Sequence, residues 1–237
     1  MEIKKRTVLL TGASSGIGLE TAERLIHEGH EVYGIGREYK KEISSPLFHR
    51  IELDLRDEKA FRICIDDICR QADIDVLINN AGCAYYGLHE SIKDEDIQSM
   101  VRVNLEVPML LCSRFLPKFK QRGGCIINIA SVTALNRANT HGAAYGALKA
   151  GLLSFTDSIF EEARKCGVKV SCIMPEMTAT NLYRNADFTA DESDGASLRP
   201  KDVADAVMYI LNAPEGTVIR DVVLEPQLHR IKHNPHT

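Results

Sequence analysis

Nowhere in the sequence do ~18 apolar residues run together, so no transmembrane helix is expected. The opening, MEIKKRTVLL, has a basic start but no sustained apolar stretch behind it, and no secretory signal is expected there. A basic block is equally absent. The 29 Lys and Arg are interspersed with 33 Asp and Glu for a formal charge of −4, which offers nucleic acid no electrostatic footprint. The seven cysteines, at 64, 69, 83, 112, 125, 166 and 172, lack the paired spacing of a metal site. Most sit in apolar segments, as reduced, buried thiols do. Internal repeats, low-complexity stretches and linkers are missing as well. These absences leave a soluble, intracellular chain, with the cytoplasm as its expected compartment, no nucleic-acid partner and no membrane.

What is present is a large stock of apolar residues, 44% of 237, arranged in alternating short and long patterns. Apolar runs at Thr7–Leu10, Glu31–Ile35, Phe48–Leu53, Asp75–Ile78, Cys125–Ala130, Val168–Met174 and Val218–Leu224 read as strands. Between them lie helical patterns. Leu19, Ala22, Leu25 and Ile26 form one face before Gly29, and Asp57 is placed to cap the next helix, which carries Ile63 and Ile68. A long helical region opens at Ser91 and reaches Gln121, with a bend predicted at Pro108. Further helices are predicted up to Cys166 and from Pro200 to Asn212, with an irregular segment over 175–198. Strands alternating with helices imply right-handed crossovers. The predicted fold class is α/β: one doubly wound domain over 1–237, a mostly parallel seven-stranded sheet with helices on both faces. Residues 226–237 read as a frayed C-terminal tail, its His229, His233 and His236 included.

Thr11-Gly-Ala-Ser-Ser-Gly-Ile-Gly18 falls between the first strand and the first helix, where a phosphate-binding turn belongs. Glycines there admit a pyrophosphate to the backbone, and the helix N-terminus offers free N–H groups. At the end of the second strand, where NAD-binding chains place an acid, stand Gly36 and Arg37. A guanidinium suits a 2′-phosphate, so NADP(H) is the expected cofactor. The other reading has Glu38 grip a ribose and leaves Arg37 in solvent, with NAD(H) as the cofactor.

Tyr145 and Lys149 are four apart, on one face of a predicted helix. A phenol ionises near pH ~10, and a close ammonium favours the phenolate; lowering that pKa by two or three units takes roughly 3–4 kcal/mol. Tyr145 then becomes a proton donor and acceptor usable near neutrality. Ser131 stands fourteen residues before it, just past the Cys125–Ala130 run.

Taken together, TGASSGIG at 11–18, Asp54-Leu55, NNAG at 79–82, Asn104, Ser131 and YGALK at 145–149 resemble the short-chain dehydrogenase/reductase family, over about residues 5–224. The resemblance implies that Gly12, Ser14, Ser15, Gly16, Ile17 and Gly18 cradle the cofactor. Asp54 and Leu55 would border the adenine, and Asn80, Ala81 and Gly82 would lie along a ribose. Pro175, Thr178 and Thr180 would meet the nicotinamide end. It further implies that Ser131 holds the substrate oxygen and that Tyr145 exchanges its proton. Lys149 would tune the tyrosine and hold the ribose, and Asn104 would bind a relay water. The implied activity is hydride transfer between NADP(H) and a carbonyl or secondary alcohol. The family's usual glycine after the strand-six proline is replaced here by Glu176. Residues 176–199 would cover the substrate, and Arg184 there could pair a carboxylate. The ending VIRDVVLEP is similar to that of members acting on serine and other 3-hydroxy acids. A homodimer or homotetramer is implied. A nucleotide-sensing protein without chemistry would have lost the Ser, Tyr or Lys, and all three are present.

Overall fold

In the computed structural model, residues 5–233 are described. The elements are β1 (Thr7–Thr11), α1 (Gly16–His27), β2 (Glu31–Gly36), β3 (Phe48–Glu52), α2 (Glu58–Gln71) and β4 (Val76–Asn79). They continue with α3 (Asp94–Val101), α4 (Val107–Arg122), β5 (Gly124–Ile129), α5 (Ala143–Ala163) and β6 (Val168–Pro175). The chain then runs through β7 (Phe188–Ala190), α6 (Pro200–Leu211), β8 (Asp221–Leu224) and β9 (Ile231–His233). Seven strands form one sheet in the order β3-β2-β1-β4-β5-β6-β8, and every pairing in it is parallel. This is the doubly wound arrangement, whose strand order reverses beside β1.

Strand alternation divides the core in two. Leu9, Leu77 and Ile126 join Phe115 and Phe119 of α4 and Ile159 and Phe160 of α5 on one face. Val8, Leu10, Ile78 and Ile127 meet Ala22 and Leu25 of α1 and Val203 and Val207 of α6 on the other. Because both faces are covered, β4 is buried at all four positions. None of the helices among the described residues is long and apolar enough to cross a membrane.

Two expectations need correction. The long helical region bends before Pro108. A π-helical turn over Arg102–Glu106 joins α3 to α4, and Pro108 sits in the first turn of α4, where its missing N–H is tolerated. Residues 227–233 are also structured rather than frayed. β9 pairs antiparallel with β7, Phe188 opposite His233 and Ala190 opposite Ile231, so the substrate-covering segment is itself part strand. His236 lies outside the described residues.

Candidate active site

The turn after β1 is packed against the end of β4. Asn80 donates from Nδ2 to the carbonyl of Thr11 at 2.9 Å, and Thr11 Oγ1 accepts from the backbone N–H groups of Asn80 and Ala81 at 3.1 and 3.0 Å. Gly12 has a φ of 72°, a left-handed conformation that favours glycine. A Cβ on Gly18 would stand 2.1 Å from the Gly12 carbonyl oxygen and 2.5 Å from Asn80 Nδ2. The turn is therefore closed as tightly as bare backbone permits. At its end Ser15 leads into α1 with no side-chain cap and no acid in the first turn, so the first N–H groups face outward unclaimed.

From this turn a cleft of about 360 Å³ runs across the carboxyl ends of the strands to Tyr145, Lys149 and the segment after β6. All the residues expected at the site line it except Gly18 and Asn104, which lie just behind its wall. At one end Arg37 is exposed, with no hydrogen bond or ion pair among the described residues, while Glu38 does not reach the cleft. Gly36 is small because Ser14 packs on it: a Cβ there would meet Ser14 Oγ at 2.7 Å. Asp54 is engaged by Arg56, whose Nε and Nη2 donate to the carboxylate at 3.0 and 2.6 Å, and this ion pair holds the Asp54 carboxyl below its ordinary range. Arg102, buried inside the π-helical turn, donates from Nε to the carbonyl of Leu55 at 3.1 Å and fixes that loop from behind.

The other end is built on β5 and α5. Asn79 of β4 donates to Asn128 of β5 at 2.8 Å, and Asn128 donates to Thr156 of α5 at 2.8 Å. This buried chain sets the depth at which α5 lies on the sheet. About two and three turns earlier on α5, Lys149 and Tyr145 are both buried and both line the cleft. Gly146 between them lets the preceding loop close in, since a Cβ there would stand 2.2 Å from Asn139 Nδ2.

Ser131 Oγ accepts from the backbone N–H of Thr133 at 3.2 Å and lies near enough to the Tyr145 hydroxyl to lower its pKa. The expected depression of the Tyr145 pKa by Lys149 is not found. Burial pushes the phenol well above its ordinary range, the neighbouring Tyr183 adds to that, and Ser131 only partly offsets it. Lys149 Nζ sits 5.6 Å from the centroid of the Tyr145 ring and donates to the Ile129 carbonyl at 2.8 Å. Burial brings its own pKa down to about 8. Behind them Asn104, in the π-helical turn, donates to the carbonyls of Cys83 and Met100 at 2.8 and 2.9 Å. Its Oδ1 is buried with no partner.

Thr178 and Thr180 bond locally, Thr178 Oγ1 to the Glu176 carbonyl and Thr180 Oγ1 from the Leu182 N–H, while Thr180 packs on Gly16. Tyr86, Tyr183 and Phe188 pack on one another, and Tyr86 on Tyr145, with ring centroids 5.2–6.0 Å apart, forming an aromatic wall. His141, a loop histidine close in sequence to Tyr145, is exposed and not among the cleft residues. Arg56, Tyr86 and His229 do line it and were not anticipated. Only Tyr86, close to NNAG, carried a usable signal.

A model of the short chain dehydrogenases matches residues 6–190. The chain belongs to the short chain dehydrogenase family. It is 31% identical over 236 residues to an uncharacterized oxidoreductase of Staphylococcus epidermidis, covering 95% of this chain and 99% of that one. It is 31% identical over 243 residues to a serine 3-dehydrogenase of Rhizobium radiobacter, covering 93% of each. The fold matches that of an alcohol dehydrogenase from the archaeon Thermococcus sibiricus, solved with 5-hydroxy-NADP, with a TM-score of 0.84 at 22% identity over 96% of this chain and 99% of the other. As a short chain dehydrogenase, the protein is an oxidoreductase with nicotinamide-binding relatives in structure.

Proposed function

We propose that this short chain dehydrogenase transfers a hydride between NADP(H) and a carbonyl or secondary alcohol, with Tyr145 as the proton-exchanging group. The observation that carries this reading is the convergence of buried Ser131, Tyr145 and Lys149 on the far end of a cleft that begins at a glycine turn. The cradle fits a dinucleotide, because Gly12 and Gly16 line it and the turn behind them is packed too tightly to admit a Cβ on Gly12 or Gly18. Bound there, the nicotinamide supplies or accepts the hydride.

The protein's own residues do the rest. Gly12, Ser14, Ser15, Gly16 and Ile17 present N–H groups to the pyrophosphate. Asp54 and Leu55 border the adenine, and Asn80, Ala81 and Gly82 flank a ribose. Pro175, Thr178 and Thr180 bound the nicotinamide end. Ser131 holds the substrate oxygen against the Tyr145 hydroxyl, which donates its proton as a carbonyl is reduced or takes one as an alcohol is oxidised. Lys149 holds the ribose hydroxyls. Asn104 Oδ1, buried and unpaired, accepts from a water that returns protons toward Lys149.

Arg37 favours the 2′-phosphate of NADP(H), because it is free whereas Arg56 is committed to Asp54. Val101, Met109 and Leu110 are exposed on α3 and α4, and these faces are where a second subunit would pack in a homodimer or homotetramer. The test is NADPH oxidation and NADP⁺ reduction over a panel of ketones and alcohols including 3-hydroxy acids. Wild type turns over a member of the panel, and Tyr145→Phe binds NADPH but loses turnover by orders of magnitude. Near-wild-type turnover in that variant removes Tyr145 from the reaction.

A further inference from the structure

Glu176, standing where most family members have glycine, reaches a residue 53 positions later: His229 Nδ1 lies 2.9 Å from Glu176 Oε1. Both side chains line the substrate end of the cleft. His229 is brought there by a strap that the chain forms after β8. Leu228 donates its N–H to the Gly195 carbonyl at 2.8 Å and Arg230 to the Ala196 carbonyl at 2.9 Å, one residue to either side of His229. Lys232 pairs with Asp191 at 3.4 Å, and β9 pairs with β7. Held at both flanks, His229 adopts a φ of 44°, a left-handed backbone that a residue with a Cβ takes only under constraint.

The charges at this end are few. Glu176 Oε1 faces His229 Nδ1, and His229 Nε2 has no partner among the described residues. Arg184, also on the cleft, donates once from Nη1 to the Asn181 carbonyl and has no acidic partner among the described residues. The remainder of the wall is aromatic, from Tyr86, Tyr183 and Phe188. A site that sets one unbalanced cation and a fixed imidazole N–H against an aromatic wall suits a compact organic anion.

Resting on the oxidoreductase reading above, we infer that the substrate is a carboxylate-bearing oxo or hydroxy acid, its carboxylate held by Arg184 and by Nε2–H of the His229 imidazolium, whose other N–H faces Glu176. Glu176 is the positioning residue that orients the imidazole through Nδ1. The reaction itself is unchanged: bound NADPH would supply the hydride to the carbonyl carbon and be oxidised to NADP⁺, and Tyr145 would give its proton to the oxygen.

Two measurements test this. In the first, short 3-oxo acids and their methyl esters are compared as substrates with NADPH. Wild type favours the acid in kcat/KM. His229→Leu and Arg184→Met each raise KM for the acid roughly 10-fold or more, as loss of a charge-assisted hydrogen bond implies, and leave KM for the ester and the affinity for NADPH unchanged. Glu176→Gln, which can still accept from Nδ1–H, raises KM for the acid less than Glu176→Ala. In the second, butanoate is titrated calorimetrically into the NADP⁺-loaded protein, where it binds wild type and binds both cation variants at least several-fold more weakly. Equal use of acid and ester by wild type, an acid preference that survives both variants, or no binding of butanoate overturns the assignment. Absence of turnover on every carbonyl and alcohol, with butanoate still bound through His229 and Arg184, overturns the oxidoreductase reading and leaves the anion site standing.

Discussion

Lys149 Nζ lies 5.6 Å from the centre of the Tyr145 ring and donates to the Ile129 carbonyl at 2.8 Å. Both side chains are buried, and burial acts on them in opposite senses: it raises the phenol and lowers the ammonium. The phenol is thereby kept protonated, ready to donate, while the lysine is kept close to losing its charge.

A dependence of stability on pH follows from Lys149. Its pKa is about 8 folded against an ordinary 10.5. Below pH 8 both folded and unfolded chains carry the charge, and the folded one bears the whole cost of burying it. Between those values the folded chain has released its proton and the unfolded chain has not, so stability rises with pH. The stability of the cofactor-free protein relative to Lys149→Met is expected to rise by roughly 3 kcal/mol from pH 7.5 to 10, measured by urea unfolding of both at each pH. A constant difference across that range means that the ammonium is not desolvated.

Oxidation and reduction should respond to pH differently. A phenol held protonated must first lose its proton before it can accept one from an alcohol. Alcohol oxidation is therefore expected to climb about tenfold per pH unit from pH 7 into the alkaline range, while carbonyl reduction stays flat or falls. Stopped-flow measurement of the single-turnover rate in each direction separates this from product release. An oxidation rate independent of pH would mean that another group takes the proton.

The sequence made the succession of strands and helices and the nucleotide end readable because each motif there is local. TGASSGIG and NNAG sit on consecutive central strands, and their contact through Asn80 and Thr11 follows from the parallel pairing of β1 and β4. The four-residue spacing of Tyr145 and Lys149 likewise placed both on the cleft, although it did not reveal where Nζ would point. That depends on the Ile129 carbonyl, twenty residues away. Glu176 and His229 were beyond reach for the same reason at larger scale. Their pairing depends on how a strap without apolar periodicity folds back over β7, which only the tertiary structure specifies. The π-helical turn was hidden behind Pro108, whose presence drew the expected bend to itself.

Gly18→Ala tests how closely the turn is packed. The added methyl would stand 2.1 Å from the Gly12 carbonyl oxygen, against backbone rather than the end of a flexible chain. Relief requires β1 and α1 to separate, at a cost of about 1–3 kcal/mol for overpacking. The variant should lose that much stability by chemical denaturation and should bind the nucleotide more weakly, since the turn can no longer close. Unchanged stability would show that the turn has room to relax.

Arg37 decides between the two nicotinamide nucleotides. It has no hydrogen-bond or ion-pair partner among the described residues, so Arg37→Glu reverses its charge without breaking such a contact. A guanidinium bound to a 2′-phosphate is worth about 1.5–3 kcal/mol, so NADPH affinity should fall roughly 10- to 100-fold or more. NADH has no 2′-phosphate and should bind within about threefold of its wild-type affinity by the same argument, or more tightly if the new carboxylate accepts from the ribose hydroxyls. Fluorescence titration of both nucleotides measures the two effects in one series. If Arg37→Glu weakens NADPH and NADH equally, the guanidinium is not reading the 2′-phosphate. If it weakens neither, Arg56 remains, and a parallel Arg56→Gln series shows whether the phosphate is drawn to the Asp54 side of the cleft.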